Sequence, residues 1–177
     1  MSAPEAGGRS IFLVGFMGAG KSSVGLALSR RLGWPFEDLD ERVELQERRS
    51  VEQIFQHSGE AAFRQAEHAA LRSLIRELGP SPKIVAMGGG AFAQANNAAL
   101  LEDAGLQAVF LDAPVEELFR RCQEQPANRP LRRNLEEFRR LHEARRPCYL
   151  KAALRIETSG KDIERVAAEA IESLGLR

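Results

Sequence analysis

"GFMGAGKSSVG" at residues 15–25 directly follows the apolar run "IFLV" at residues 11–14. Glycines weaken a strand and delay a helix, so this placement demands compensation. Gly15 to Ser22 match G-x-x-x-x-G-K-[ST] in full, between a predicted strand and the helix pattern of "LALSRRLG". There the glycines let the backbone wrap an anion, with successive N–H groups turned inward. A helix beginning near Lys21 adds the positive end of its dipole. Lys21 would reach the β- and γ-phosphates of a nucleotide, and the Ser22 hydroxyl would ligate Mg²⁺. The bland alternative is a Gly-rich turn that merely starts a helix. Average residue usage makes a full chance match rare, and the strand-to-helix setting makes it rarer. The loop reads as a phosphate cradle.

Outward from the loop, short β-prone runs recur at 10–15, 83–88, 107–112 and 154–158, with a weaker one at 35–38. Helical patterns lie between them at 21–32, 60–78, 114–123, 134–146 and 161–174. Ser50-Val-Glu-Gln53 has capping-box spacing and opens a short helix through "VEQIFQ". Apolar strands alternating with amphipathic helices predict an α/β fold, a three-layer α/β/α sandwich on a five-stranded parallel sheet. Such sheets bind ligands at the carboxyl ends of their strands. The 177 residues make one domain, residues 1–177.

Lys and Arg number 25, as do Asp and Glu, so charge suggests neither a nucleic-acid nor a membrane partner. Cys122 and Cys148 lack C-x-x-C spacing and read as reduced thiols. No apolar run is long enough for a bilayer, and "MSAPEAGGRS" has no apolar signal core, so a cytoplasmic protein is expected. A monomer is expected too, since no long apolar repeat suggests an interface. His57, His68 and His142 have no zinc-like spacing, and Trp34 is expected to pack at the end of the first helix. The arginine-rich stretch 129–146 is interleaved with glutamates and carries Leu135, Phe138 and Leu141 at helical spacing. That pattern predicts a packed helix.

A phosphate cradle does not name its acceptor. The chain has no guanine-reading N-K-x-D, and it is too short for a motor or transporter ATPase. A small phosphotransferase remains, and three features suit an acceptor pocket. In "EDLDER", Asp38 and Asp40 at the end of the second strand would face the phosphate loop together, since positions i and i+2 share a strand face. The alternative is a pair of helix-start carboxylates before "ERVELQ". The run Gly88-Gly89-Gly90 at a strand's carboxyl end permits close backbone approach to a ligand. Arg64, Arg129 and Arg145 carry forks suited to carboxylate or phosphate, although each alone is more often a solvated charge.

Taken together, "GFMGAGKSSVG", D-L-D at 38–40, F-R-x-x-E at 63–67, G-G-G-A at 88–91, R-P-L at 129–131 and R-R-P-x-Y at 145–149 resemble shikimate kinase. The resemblance spans roughly residues 11–160. It implies ATP-dependent phosphorylation of the 3-hydroxyl of shikimate, in chorismate and aromatic amino-acid biosynthesis. It also implies a P-loop, nucleoside monophosphate kinase-like fold with a substrate-binding region at about 38–67 and a mobile LID at about 123–134. Gly18, Ala19, Gly20, Lys21, Ser22 and Ser23 would hold the phosphates, with Ser22 on Mg²⁺ and Asp38 beside it through water. Shikimate would meet Asp40, Arg64, Gly89 and Arg145. Arg129 would be the LID arginine, Arg121 would stack on adenine, and Ser159-Gly160-Lys161 would border the base. Lys21, Asp40 and Arg129 are the implied catalytic groups.

The chain departs from the family at Arg132 and Arg133, where leucine is common after R-P-L, and at Ser23, where threonine is common. Asp112 imitates a Walker B aspartate but reads as helix-start chemistry before Pro114. Two further readings are a small-molecule kinase of the same fold, such as a gluconate kinase, and a non-catalytic nucleotide-binding module.

Overall fold

The computed structural model describes residues 9–125 and 134–176. Five parallel strands form one sheet: β1 (Ile11–Val14), β2 (Phe36–Asp38), β3 (Ile84–Ala86), β4 (Gln107–Asp112) and β5 (Leu154–Glu157). Their order is β2-β3-β1-β4-β5, so the chain runs to one edge first and crosses to the other after β3. β1 and β3 are buried at every residue, as strands covered on both faces must be. The edge strands β2 and β5 are only partly covered.

Seven helices complete the α/β/α sandwich: α1 (Lys21–Leu32), α2 (Leu39–Glu47), α3 (Val51–Arg76), α4 (Ala95–Asp103), α5 (Val115–Gln123), α6 (Leu135–Tyr149) and α7 (Ile163–Ser173). Phe12, Leu13, Val85, Val109 and Leu111 from the strands are fully buried, as are Ala27, Leu28, Leu71 and Ala167 from the helices. Each large side chain of this kind contributes about 1.5–3 kcal/mol by leaving water. Trp34 packs against this core just past the Gly33 C-cap of α1, and its carbonyl accepts from Ser29 Oγ at 2.6 Å.

Several elements differ from the sequence reading. The capping box at Ser50 forms reciprocally, but its helix joins the next one into α3, broken where Gly59 adopts φ 85° and ψ 174°. α4 has no counterpart among the expected helices, and α2 corresponds only to the alternative reading of a helix start before "ERVELQ". Each buries only two residues, too few for a clear apolar stripe. α6 runs through Pro147 to Tyr149 instead of ending at 146. Pro147 and Glu143 are both exposed, so the hydrogen bond that proline cannot make is missing on the solvent side.

Asp112 also differs. Pro114 starts α5 without a side-chain cap, and the Asp112 carboxylate instead accepts from Arg146 and Arg155, each at 2.8 Å. It is nearly fully buried, and it ties α6 and β5 to the end of β4.

Gly25 sits where α1 crosses the sheet, and a Cβ there would lie 2.3 Å from the Phe36 ring and 3.3 Å from Leu13. Helix propensity favours alanine by at most about 1 kcal/mol, whereas overpacking costs about 1–3 kcal/mol. Gly25→Ala is therefore expected to lower stability, read as a reduced urea midpoint with an unchanged m-value.

Candidate active site

The loop after β1 is shaped by close packing. Gly18 has φ 81°, and a Cβ there would come within 2.6 Å of the Leu118 carbonyl and 3.0 Å of Cys122 Sγ. Gly20 caps α1 with φ 90°, supplies no side chain to the helix end, and is followed by no acidic residue in the first turn. α2, α3, α6 and α7 are each capped by a side chain, from Asp38, Ser50, Asn134 and Asp162. No side chain caps the start of α1, which leaves that helix end open in form to an anion, as the glycine loop before it also suits. Lys21 Nζ donates to the Gly15 carbonyl at 2.7 Å and to that of Phe16 at 3.1 Å. Phe16 is buried edge-on against Phe138, with ring centroids 4.8 Å apart, and against His142 at 5.3 Å. The loop is thereby clamped to α6.

β2 and β3 end in register, with Asp38 opposite Ala86. The turn into α2 and the glycine run after β3 therefore emerge side by side. Asp38 is both the last residue of β2 and the N-cap of α2. Its Oδ1 accepts from the Asp40 amide at 2.8 Å, while Oδ2 accepts from Ser22 Oγ at 3.2 Å. Asp40 lies in the first turn of α2, not on the strand. The strand alternation expected for these two aspartates is corrected: a helix start, not a pleat, brings both to one cleft with Gly20, Lys21, Ser22 and Gly89. Gly18 and Ser23 line the same cleft, and Ala19 is buried beneath it.

Each of the three consecutive glycines faces a different side chain. A Cβ on Gly88 would lie 2.7 Å from Asp40 Oδ1, and one on Gly90 would lie 2.4 Å from Arg64 Nη2. At Gly89 it would meet Met17 at 3.6 Å and Arg145 Nη1 at 3.8 Å, ordinary contact distances. The run thus makes room for polar side chains as well as for a ligand. Arg64 does not line this cleft but borders a neighbouring pocket with His68 and Gln94, on the other side of Gly90. Arg64 is held by Glu67, whose Oε1 accepts from Nη1 at 2.9 Å. Glu67 is fully buried, and its Oε2 has no hydrogen-bond partner among the described residues. Burial raises the Glu67 pKa despite Arg64, and the Asp40 charge pushes the same way. Glu67 stands in the F-R-x-x-E motif but received no role from sequence. Its i+3 spacing from Arg64 on one helix was the available signal.

Other expected residues do not line the cleft itself. Arg121 bridges the Gly18 carbonyl at 3.3 Å, Thr158 Oγ1 at 3.2 Å and Glu117 at 2.7 Å, joining the phosphate loop to the segment after β5. Ser159 donates to the same Glu117 at 2.6 Å. Lys161 is paired with Glu169 at 2.6 Å. Arg129, Arg132 and Arg133 lie outside the described residues. No group of three metal-binding side chains occurs among the described residues, and none of their helices is long and apolar enough to cross a membrane.

A family model described as shikimate kinase matches residues 17–175. A shikimate kinase of Geobacter sulfurreducens is 42% identical over 171 residues, 96% of this chain and 92% of that one. The chain belongs to the shikimate kinase family. A solved shikimate kinase from Acinetobacter baumannii, in complex with shikimate, superposes with a TM-score of 0.84 at 34% identity, covering 94% of this chain and 92% of that one. A gluconokinase from Sinorhizobium meliloti covers 96% of this chain and 93% of its own, at TM-score 0.63 and 20% identity, a likeness of fold alone. Membership in the family makes the protein a kinase.

Gly88 and Gly90 guard different partners and are separable. Gly90→Ala pushes against Arg64 and is expected to raise the shikimate KM about tenfold while leaving the ATP KM within about twofold. Gly88→Ala intrudes on Asp40 and is expected to lower kcat instead. Steady-state kinetics with each substrate varied checks both.

Burial of His142 against Phe16 lowers its pKa from the ordinary 6.5. Below that value the unfolded chain binds a proton that the native state resists, so acid favours unfolding. Unfolding free energy should fall as pH drops from about 6.5 toward 5, and His142→Gln should flatten that part of the curve. Urea titrations across this range provide the measurement.

Proposed function

We propose that this cleft transfers the γ-phosphoryl group of ATP to the 3-hydroxyl of shikimate, giving shikimate 3-phosphate and ADP. The observation that carries the reading is the glycine run. Asp40, Arg145 and Arg64 each abut one of three consecutive glycines, of which Gly88 and Gly89 line the cleft of the phosphate loop. Two guanidinium groups answer a carboxylate, a carboxylate answers a hydroxyl, and side-chain-free backbone admits a ring.

The amides of residues 18–23 and the start of α1 hold the phosphates. Lys21 exchanges the Gly15 and Phe16 carbonyls for phosphate oxygens. Asp40 accepts the proton of the acceptor hydroxyl as its oxygen attacks phosphorus and ADP leaves. Arg64 and Arg145 hold the shikimate carboxylate. Arg129, in a LID at about 123–134, adds positive charge as the phosphoryl group passes. Arg121 and the segment at Lys161 border adenine, and residues 38–67 form the acceptor region of a single 1–177 unit.

Mg²⁺ suits the donor set, since the Ser22 hydroxyl and the Asp38 carboxylate are adjacent hard oxygen ligands. Ser22 would bind it directly and Asp38 through water. Bound there, Mg²⁺ neutralises phosphate charge. A monomeric, cytoplasmic enzyme acting on small molecules alone, supplying chorismate and aromatic amino-acid biosynthesis, completes the proposal.

ADP release measured with shikimate, with gluconate and without acceptor tests this reading. Turnover should require shikimate, and Asp40→Asn should reduce kcat by about a hundredfold or more. Asp38→Asn should mainly raise the Mg²⁺ requirement. Turnover indifferent to shikimate, or undiminished in Asp40→Asn, would overturn it.

A further inference from the structure

The proposed acceptor groups come from separate elements, and the most pliable of them is the Gly88-Gly89-Gly90 backbone. Glycine peptides reorient readily, so a site that uses this one needs something to hold it. Tyr149, at the last position of α6, lies where that hold would be placed. Its ring is fully buried and packs against Phe110 of β4, with centroids 5.3 Å apart and planes at 32°. Its hydroxyl donates to the Gly89 carbonyl. Arg145 precedes it by four positions on the same helix, one turn away on the same face. Burial favours the neutral phenol more strongly than the charge and the N–H groups of the Arg145 guanidinium, which lies beside the phenol oxygen, favour its ionisation. The phenol pKa is pushed up to about 12. The hydroxyl therefore stays protonated at any working pH and remains a donor.

We propose that Tyr149 is a positioning residue of the acceptor site, its hydroxyl tying the glycine loop to the helix that carries Arg145. A trans peptide points its carbonyl and N–H in opposite directions. Holding the Gly89 carbonyl thus fixes the whole Gly89–Gly90 peptide, and with it the backbone against which Arg64 is packed. Packing alone does not account for the oxygen. Phenylalanine would bury the same ring against Phe110 without a hydroxyl that needs an acceptor. The same helix is held from outside the site by the Asp112 pair with Arg146, so the loop is tied to a fixed support. The inference rests on the acceptor-site reading given above, and it extends that reading to a residue that need not touch substrate.

The test compares Tyr149→Phe, Arg145→Ala and the double variant in steady-state kinetics, with calorimetric titration of shikimate. Tyr149→Phe keeps the ring and its packing and removes one oxygen. It is expected to raise the shikimate KM and Kd about fivefold to tenfold, the scale of one buried hydrogen bond, with the ATP KM within about twofold. The double variant should lose less than the product of the two single losses, because both act on one connected unit. If Arg145→Ala weakens shikimate while Tyr149→Phe leaves it within about twofold, or weakens ATP equally, the positioning role is overturned and the acceptor site stands. If Arg145→Ala leaves shikimate binding unchanged, the acceptor-site reading fails, and this inference fails with it.

Discussion

The first turn of α1 has backbone N–H groups that no side chain caps, at the end of a buried strand and in the middle of a parallel sheet. An anion satisfies such donors as well as a side-chain cap does. The elements around this helix start are packed against the loop that carries it. Gly18 presses against the Leu118 carbonyl and Cys122 on α5, and Phe16 is wedged against Phe138 and His142 on α6. Arg121 reaches from α5 to the Gly18 carbonyl. The cradle is therefore braced by the two helices that flank the proposed LID, and a change in their packing would be felt directly at the phosphates.

The acceptor half rests on a second constraint, the crowding of opposite charges around backbone that has no side chains. Asp40 and Glu67 both lie near Gly88, and Glu67 is buried with Arg64 on one oxygen only. Burying a charge with incomplete partners destabilises a fold, which is why the Glu67 pKa rises. The arrangement is tolerable because Arg64 offsets part of the cost. In return Arg64 is held in place by a buried partner instead of sampling solvent. Local stability is given up to hold the Arg64 guanidinium, which the proposed function assigns to the acceptor carboxylate.

Much of this was legible from residues close together in the chain. The cradle occupies contiguous positions, and the capping box at Ser50 and the Gly33 stop of α1 are local hydrogen-bonding devices. Where reading failed, the deciding contacts were distant. Asp38 and Asp40 look like a strand pair, yet the Asp38 carboxylate gains more by capping α2 than by continuing β2. Asp112 looks like a helix start but pairs with Arg146 and Arg155, whose nearness depends on β5 pairing with β4. α4 escaped notice, and α2 entered only as the alternative reading of the two aspartates, because each buries only two residues.

By itself the sequence determined the alternation of strands and helices, the phosphate loop and the family, because these depend on spacing within short segments. It also contained every residue type the acceptor site needs. Only the tertiary structure decided that Gly88, Gly89 and Gly90 face Asp40, Arg145 and Arg64 in turn, and that Tyr149 holds the middle one. Those relations join α2, α3, α6 and the loop after β3. They exist only once the parallel sheet has set β2 beside β3, and no local propensity encodes which elements a folded chain will bring together.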